Sequence, residues 1–217
     1  MNPGNFNPLT LAILLSAIAI VPLLLMMCTC FLKMAVVLMI VRNALGVQQV
    51  PPNMVLYGIA GALTIFVMAP VFNETQKIVV GMDESEMQSK GTAHIIKNAS
   101  VPLKEFMEKN TSPSVLAGIR ETSNKLWGDE LKNSPIDKNL LILIPAFVIS
   151  ELQAGFEIGF ILYLPFLVID LVVSNILLAL GMQMVAPMTV SLPLKILLFI
   201  LVAGWEKLLN GLIMSYF

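Results

Sequence analysis

LLILIPAFVISELQAGFEIGFILYLPFLVIDLVVSNILLAL, residues 140–180, carries only three charged side chains, Glu151, Glu157 and Asp170. A soluble domain charges roughly a quarter of its residues. Each ionised carboxylate at the centre of an inserted helix costs roughly 2.5–3.5 kcal/mol, and each Leu, Ile, Phe or Val returns roughly 0.3–0.6 kcal/mol. Residues 140–164 hold fifteen of those apolar residues against two Glu, so the stretch inserts only marginally by itself and needs protein around it. At 100° per residue the three carboxylates share no face of a continuous helix. Pro165 is expected to break the helix between Glu157 and Asp170, so a single ion-binding stripe is not expected.

The same stretch contains Gly155 and Gly159, flanked by Phe156 and Phe160. Small residues four apart let another backbone approach closely, so this pair reads as a helix crossing. Pro145, Pro165, Pro187 and Pro193 punctuate the C-terminal half so often that it reads as broken helices. Such backbone is tolerated at membrane depth only when packed in protein or lining a cavity, as in an assembly around a conduit. Residues 181–187, GMQMVAP, then separate two apolar regions, with Met188 just beyond. Met182 and Met184 read either as ordinary apolar packing or, at a conduit mouth, as a deformable seal, because a thioether chain reshapes at low cost.

Outward from this half, residues 9–32 form an uncharged run of 24 and residues 54–72 one of 19. About 20 apolar residues cross a bilayer, so each run is expected to be a spanning helix. With 140–180 and 185–217 they make four hydrophobic regions, paired on either side of residues 73–138, where nineteen of the 27 charged residues lie. The chain is 57% hydrophobic and 12% charged, with a mean hydropathy of +0.85. The fold class expected is therefore all-α: membrane-type helical hairpins with broken helices and a small polar helical insert. The expected organisation is an N-terminal hydrophobic region 1–72, the insert 73–138 and a C-terminal hydrophobic region 139–217.

Within the insert, Ser112-Pro113 places a cap residue before a proline at the first helical position. Val115, Leu116, Ile119 and Leu126 follow on one broadly apolar face, and a second short helix over 102–109 is expected to bury Leu103, Phe106 and Met107. The insert reads as a solvated helical cap or as a docking surface for a neighbouring subunit. Orientation rests on Lys33, Arg42 and Lys195, which flank the short loops 43–53 and 181–191 and mark them as cytoplasmic. Four crossings then put both termini and the insert outside. The first apolar run is too long for the core of a cleaved signal peptide.

Cys28 and Cys30, two apart in an apolar helix, point about 200° away from each other and read as small buried hydrophobes. His94 is the single histidine, so neither a metal nor any other cofactor is expected. A net charge of −1 offers no surface for nucleic acid.

Six blocks, taken together and in order, resemble one family. They are residues 42–53 (RNALGVQQVPPN), 66–70 (FVMAP), 145–159 (PAFVISELQAGFEIG), 165–170 (PFLVID), the 181–187 loop and 191–195 (SLPLK). They are similar to the FliP/SctR family of type III secretion export-gate proteins. The context of residues 33–37 looks more like the injectisome branch (YscR, EscR and SpaP) than the flagellar one. The resemblance implies a core subunit of the export gate in the bacterial inner membrane, a pentamer spiralling with SctS-like and SctT-like subunits and meeting an SctU-like one. Unfolded secreted proteins would pass through its centre. It further implies a ring or spiral lying largely on the periplasmic side of the bilayer, with a methionine loop sealing the closed pore. That role maps onto Met182 and Met184, and Gln183 departs from the three consecutive methionines of flagellar relatives. Glu151, Glu157 and Asp170, together with Gly155 and Gly159, are expected to serve subunit assembly, since carboxylates in apolar surroundings need partners.

Two other classes are weighed. An ion-coupled transporter would gather the three carboxylates near the midplane. An intramembrane enzyme would need a nucleophile with its base, paired aspartates or a metal motif. The carboxylates share no face and the C-terminal apolar half has one Asp, so neither class is favoured, and no enzymatic activity is expected.

Overall fold

The computed structural model describes residues 8–47, 49–81, 97–126 and 138–217. His94 and the first seven residues lie outside the described residues. The described residues contain helices and no strand: α1 (Pro8–Cys28), α2 (Phe31–Leu45), α3 (Asn53–Val80), α4 (Val101–Lys109), α5 (Pro113–Leu126), α6 (Lys138–Ala179), α7 (Pro187–Leu201) and α8 (Gly204–Met214). The fold is all-α, as expected from the apolar runs. Among the described residues α3 and α6 are each long and apolar enough to cross a membrane, and the count rises to four if each of two bent pairs is one span.

The break at the 181–186 loop before Pro187 falls where expected, and others fall elsewhere. Residues 9–32 do not form one helix; the chain turns by 69° between Ile18–Cys28 and Phe31–Leu45. Thr29 sits at the turn, where its hydroxyl donates to the Leu25 carbonyl at 2.5 Å and accepts from the Phe31 N–H at 3.4 Å. The bond to the i−4 carbonyl recurs inside continuous helices at Thr64 and Ser150, so the distinguishing feature here is the Phe31 N–H, which turns to the Thr29 hydroxyl, a local bond that competes with the helical ladder. Cys28 and Cys30 flank the turn, buried and free, rather than lying within one helix.

Conversely, Pro165 does not break the chain, and α6 runs continuously for 42 residues with Pro145 and Pro165 inside it. Packing on either side of each proline offsets the lost hydrogen bond. Phe166 is buried against Phe199, with ring centroids 6.1 Å apart, and Leu162 and Tyr163 pack on the same core. Around Pro145, Leu143, Ala146 and Phe147 are buried. At 1.5 Å per residue α6 rises about 63 Å, twice the ~30 Å hydrocarbon thickness.

The second bend, 62°, separates α7 from α8. Ala203 there adopts φ 53°, and Gly204 follows because a Cβ on it would lie 2.4 Å from the Phe199 ring.

The hub is α2, whose Met34, Leu38 and Val41 are almost fully buried together with Leu56 and Met68 of α3, Phe166 of α6 and Leu212 of α8. The insert is packed onto this body. Met107 of α4 is fully buried, with Phe106 and Leu103 beside it against Leu143 and Phe147 of α6. In α5, which starts at Pro113 as the cap signal predicts, Val115, Leu116 and Ile119 are half-buried, but Leu126 is exposed. The Ser112 N–H donates to the Ser150 hydroxyl at 3.0 Å, tying the insert to α6.

Candidate functional site

The carboxylates of α6 occupy three separate environments. Glu151 is buried; its Oε1 lies 3.6 Å from the Lys33 ammonium of α2, and the Tyr216 hydroxyl donates to its Oε2. Lys33 Nζ stands 3.5 Å from the Tyr216 ring centroid, a cation–π contact. On its other flank Tyr216 stacks on Phe106 of α4 at 5.9 Å, and Lys109 donates to its carbonyl at 3.5 Å. This cluster joins α2, α4, α6 and residue 216. Nothing local in the sequence marks Tyr216, and sequence reasoning missed it.

Asp170 accepts from the Ser191 hydroxyl and from the Lys195 ammonium of α7, both at 2.6 Å, one on each carboxylate oxygen. Lys195 is itself buried and also donates to the Ala44 carbonyl at 3.1 Å, in the last turn of α2. A cation is favoured there because the final helical carbonyls are unpaired and carry the negative end of the dipole. Ser191 and Lys195 are four apart on one helix face, the spacing that would have revealed Ser191 as a second partner. Glu157, in contrast, is exposed beside Phe156 and Phe160, whose rings are exposed as well.

The two glycines lie at the α2–α6 crossing. A Cβ on Gly155 would meet Val36 at 3.4 Å, and one on Gly159 would meet Ile40 Cδ1 at 2.4 Å and Ile40 Cβ at 3.1 Å. The close approach expected of them occurs within the chain. Lys33 and Lys195, read from the sequence as orientation markers, are both engaged in ion pairs with α6, the first buried on both sides and the second at a half-exposed Asp170. Arg42 binds its own loop through the Pro51 carbonyl at 3.2 Å and Asn53 Oδ1 at 2.6 Å.

The α6–α7 connection carries the methionines. Gly181 turns the chain at φ 73°, its N–H bonded to the Leu178 carbonyl, and α7 restarts at Pro187. Met182 is 45% exposed and Met184 wholly exposed at the tip of this hairpin. No group of three or more His, Cys, Asp or Glu able to hold a metal occurs among the described residues.

The model of the FliP family matches residues 14–212. The chain belongs to the FliP family. Among its FliP-family relatives, the harpin secretion protein HrcR of Erwinia amylovora is 57% identical over all of both chains. Yop proteins translocation protein R of Yersinia pestis is 44% identical over 97% of each chain. The flagellar biosynthetic protein FliP of Bacillus subtilis is 40% identical over 99% of this chain and 95% of its own. The order of these identities agrees with the injectisome branch read from the sequence.

Proposed function

We propose that the chain is a core subunit of the type III secretion export gate, an entry conduit for unfolded secreted proteins rather than a catalyst. In this reading it sits in the bacterial inner membrane as a pentamer with SctS-like, SctT-like and SctU-like partners, and residues 73–138 face the periplasm. The observation that carries the proposal is the exposed methionine hairpin of a FliP-family chain. Met184 buries nothing in the single chain, and copies of such a loop converging on one axis form a flexible apolar constriction. The length of α6, about 63 Å, supports an assembly that rises above the bilayer plane.

Assembly uses α6 in two ways. Glu157, among exposed aromatic rings, is the carboxylate free to reach a neighbouring subunit. Glu151, Asp170, Gly155 and Gly159 fix the shape of the surface that subunits present. The pairing of Glu151 with Lys33 and of Asp170 with Lys195 also argues against an ion-coupled transporter, whose carboxylates would have to bind and release the coupling ion. The flagellar alternative is less favoured by the lower identity to the flagellar protein.

The test is the conductance of the purified complex in planar bilayers. Changing Met182 and Met184 to Ala should raise ion leakage while assembly and some secretion persist, and changing both to Leu, closer to Met in volume, should leak less than Ala. An Ala variant no leakier than the parent, at equal oligomer content, places the seal elsewhere.

A further inference from the structure

We propose that Asp170, Ser191 and Lys195 form a clamp that positions the Met182–Met184 loop, so that the tightness of the seal depends on three residues remote from it. The inference rests on the seal reading above. The clamp grips both arms of the hairpin well back from the tip. Nine residues separate Asp170 from the end of α6 at Ala179, and eight separate Lys195 from the start of α7 at Pro187. At 1.5 Å per residue the helix ends lie about 12–14 Å beyond the clamp, and the tip lies farther still. A pivot of roughly 10° displaces the helix ends by about 2 Å and the methionines by more, enough to open or close contact between side chains.

Apolar packing contributes between clamp and loop, where Val173 and Leu177 of α6 are buried, but it does not fix a direction. Alongside the clamp the two helices part around an apolar groove lined by Val172, Ile176, Leu194, Leu197 and Leu198. Apolar contact is non-directional, whereas the clamp specifies direction. Both Asp170 oxygens are engaged, one by a fully buried hydroxyl and the other by a buried ammonium. Lys195 in turn is held by the Ala44 carbonyl, which references the hairpin to α2, the hub of the chain. Asp170 is thus a positioning residue for the loop, acting through Ser191 and Lys195 from more than two helical turns before the end of α6.

The experiment measures leak conductance of the complex purified with its partner subunits, with oligomer content checked for every variant. Asp170→Asn removes the charge that pairs Lys195 and should raise the loosened hairpin population, and with it the leak, by roughly tenfold. Asp170→Glu keeps the charge and should leak less. Ser191→Ala deletes one hydroxyl, keeps the clamp testable if Asp170→Asn fails to assemble, and should leak to a smaller degree than Asp170→Asn. Combining Asp170→Asn with Met182→Ala and Met184→Ala should add little to the leak of the methionine variant, because both changes damage one seal. A leaky methionine variant beside Asp170→Asn and Ser191→Ala complexes as tight as the parent overturns the clamp alone. A tight methionine variant overturns the seal itself. Full additivity of the two leaks also overturns the clamp, since it assigns them to separate paths.

Discussion

Glu151 and Lys33 are each under 6% exposed in their side chains, and their stability rests on mutual satisfaction. Removing one member of a buried pair strands the other, at about 3–5 kcal/mol, whereas replacing both by apolar residues of similar volume is often neutral. Glu151→Ala is therefore predicted to lower the thermal stability of the detergent-solubilised chain severely, and Glu151→Leu combined with Lys33→Met to lower it far less than Glu151→Ala. Tyr216→Phe, which leaves Glu151 Oε2 without its donor, should cost about 1–3 kcal/mol. Equal melting of Tyr216→Phe and the parent would show that the hydroxyl contributes nothing. The sequence alone shows that carboxylates in an apolar stretch need partners. It does not show which, because Lys33 and Tyr216 approach Glu151 from opposite ends of the chain and no spacing rule connects residues so far apart.

At the scale of elements, the α2–α6 crossing separates two glycines that look alike in the sequence. A Cβ on Gly155 finds ordinary contact distances, so Gly155→Ala should be neutral or slightly stabilising through helix propensity. At Gly159 the added carbon meets Ile40 at 2.4 Å, and Gly159→Ala should destabilise by about 1–3 kcal/mol through overpacking. Gly159→Leu should prevent recovery of folded chain. Thermal melts of the purified variants check the order, and equal behaviour of the two alanine variants would contradict a close crossing at Gly159. The glycine pair was legible because missing side chains are visible in a sequence. The helix breaks were legible only in part: the loop before Pro187 falls where the sequence put it, but the proline rule also pointed to Pro165, where packing by Phe166 accompanies a continuous α6, and it was silent at Thr29, where the chain turns without a proline. Local propensity was overridden by tertiary packing in one place and by a side-chain hydrogen bond in the other.

At the scale of the molecule, the chain buries its core around α2 yet leaves Ile65, Phe66, Phe156, Phe160, Leu171 and Leu197 exposed on three long helices. Such an apolar surface is unstable in water and must be covered by lipid or by other subunits. A helix twice as long as the hydrocarbon is thick cannot be covered by lipid alone, and the proposed assembly would cover the remainder with further subunits. Native mass spectrometry of the chain released from detergent, alone and co-expressed with the proposed SctS-like and SctT-like subunits, tests this most directly. The predicted result is a pentamer that takes up both partners. A monomer or dimer that recruits neither, from membranes in which all three proteins are present, would contradict the export-gate account.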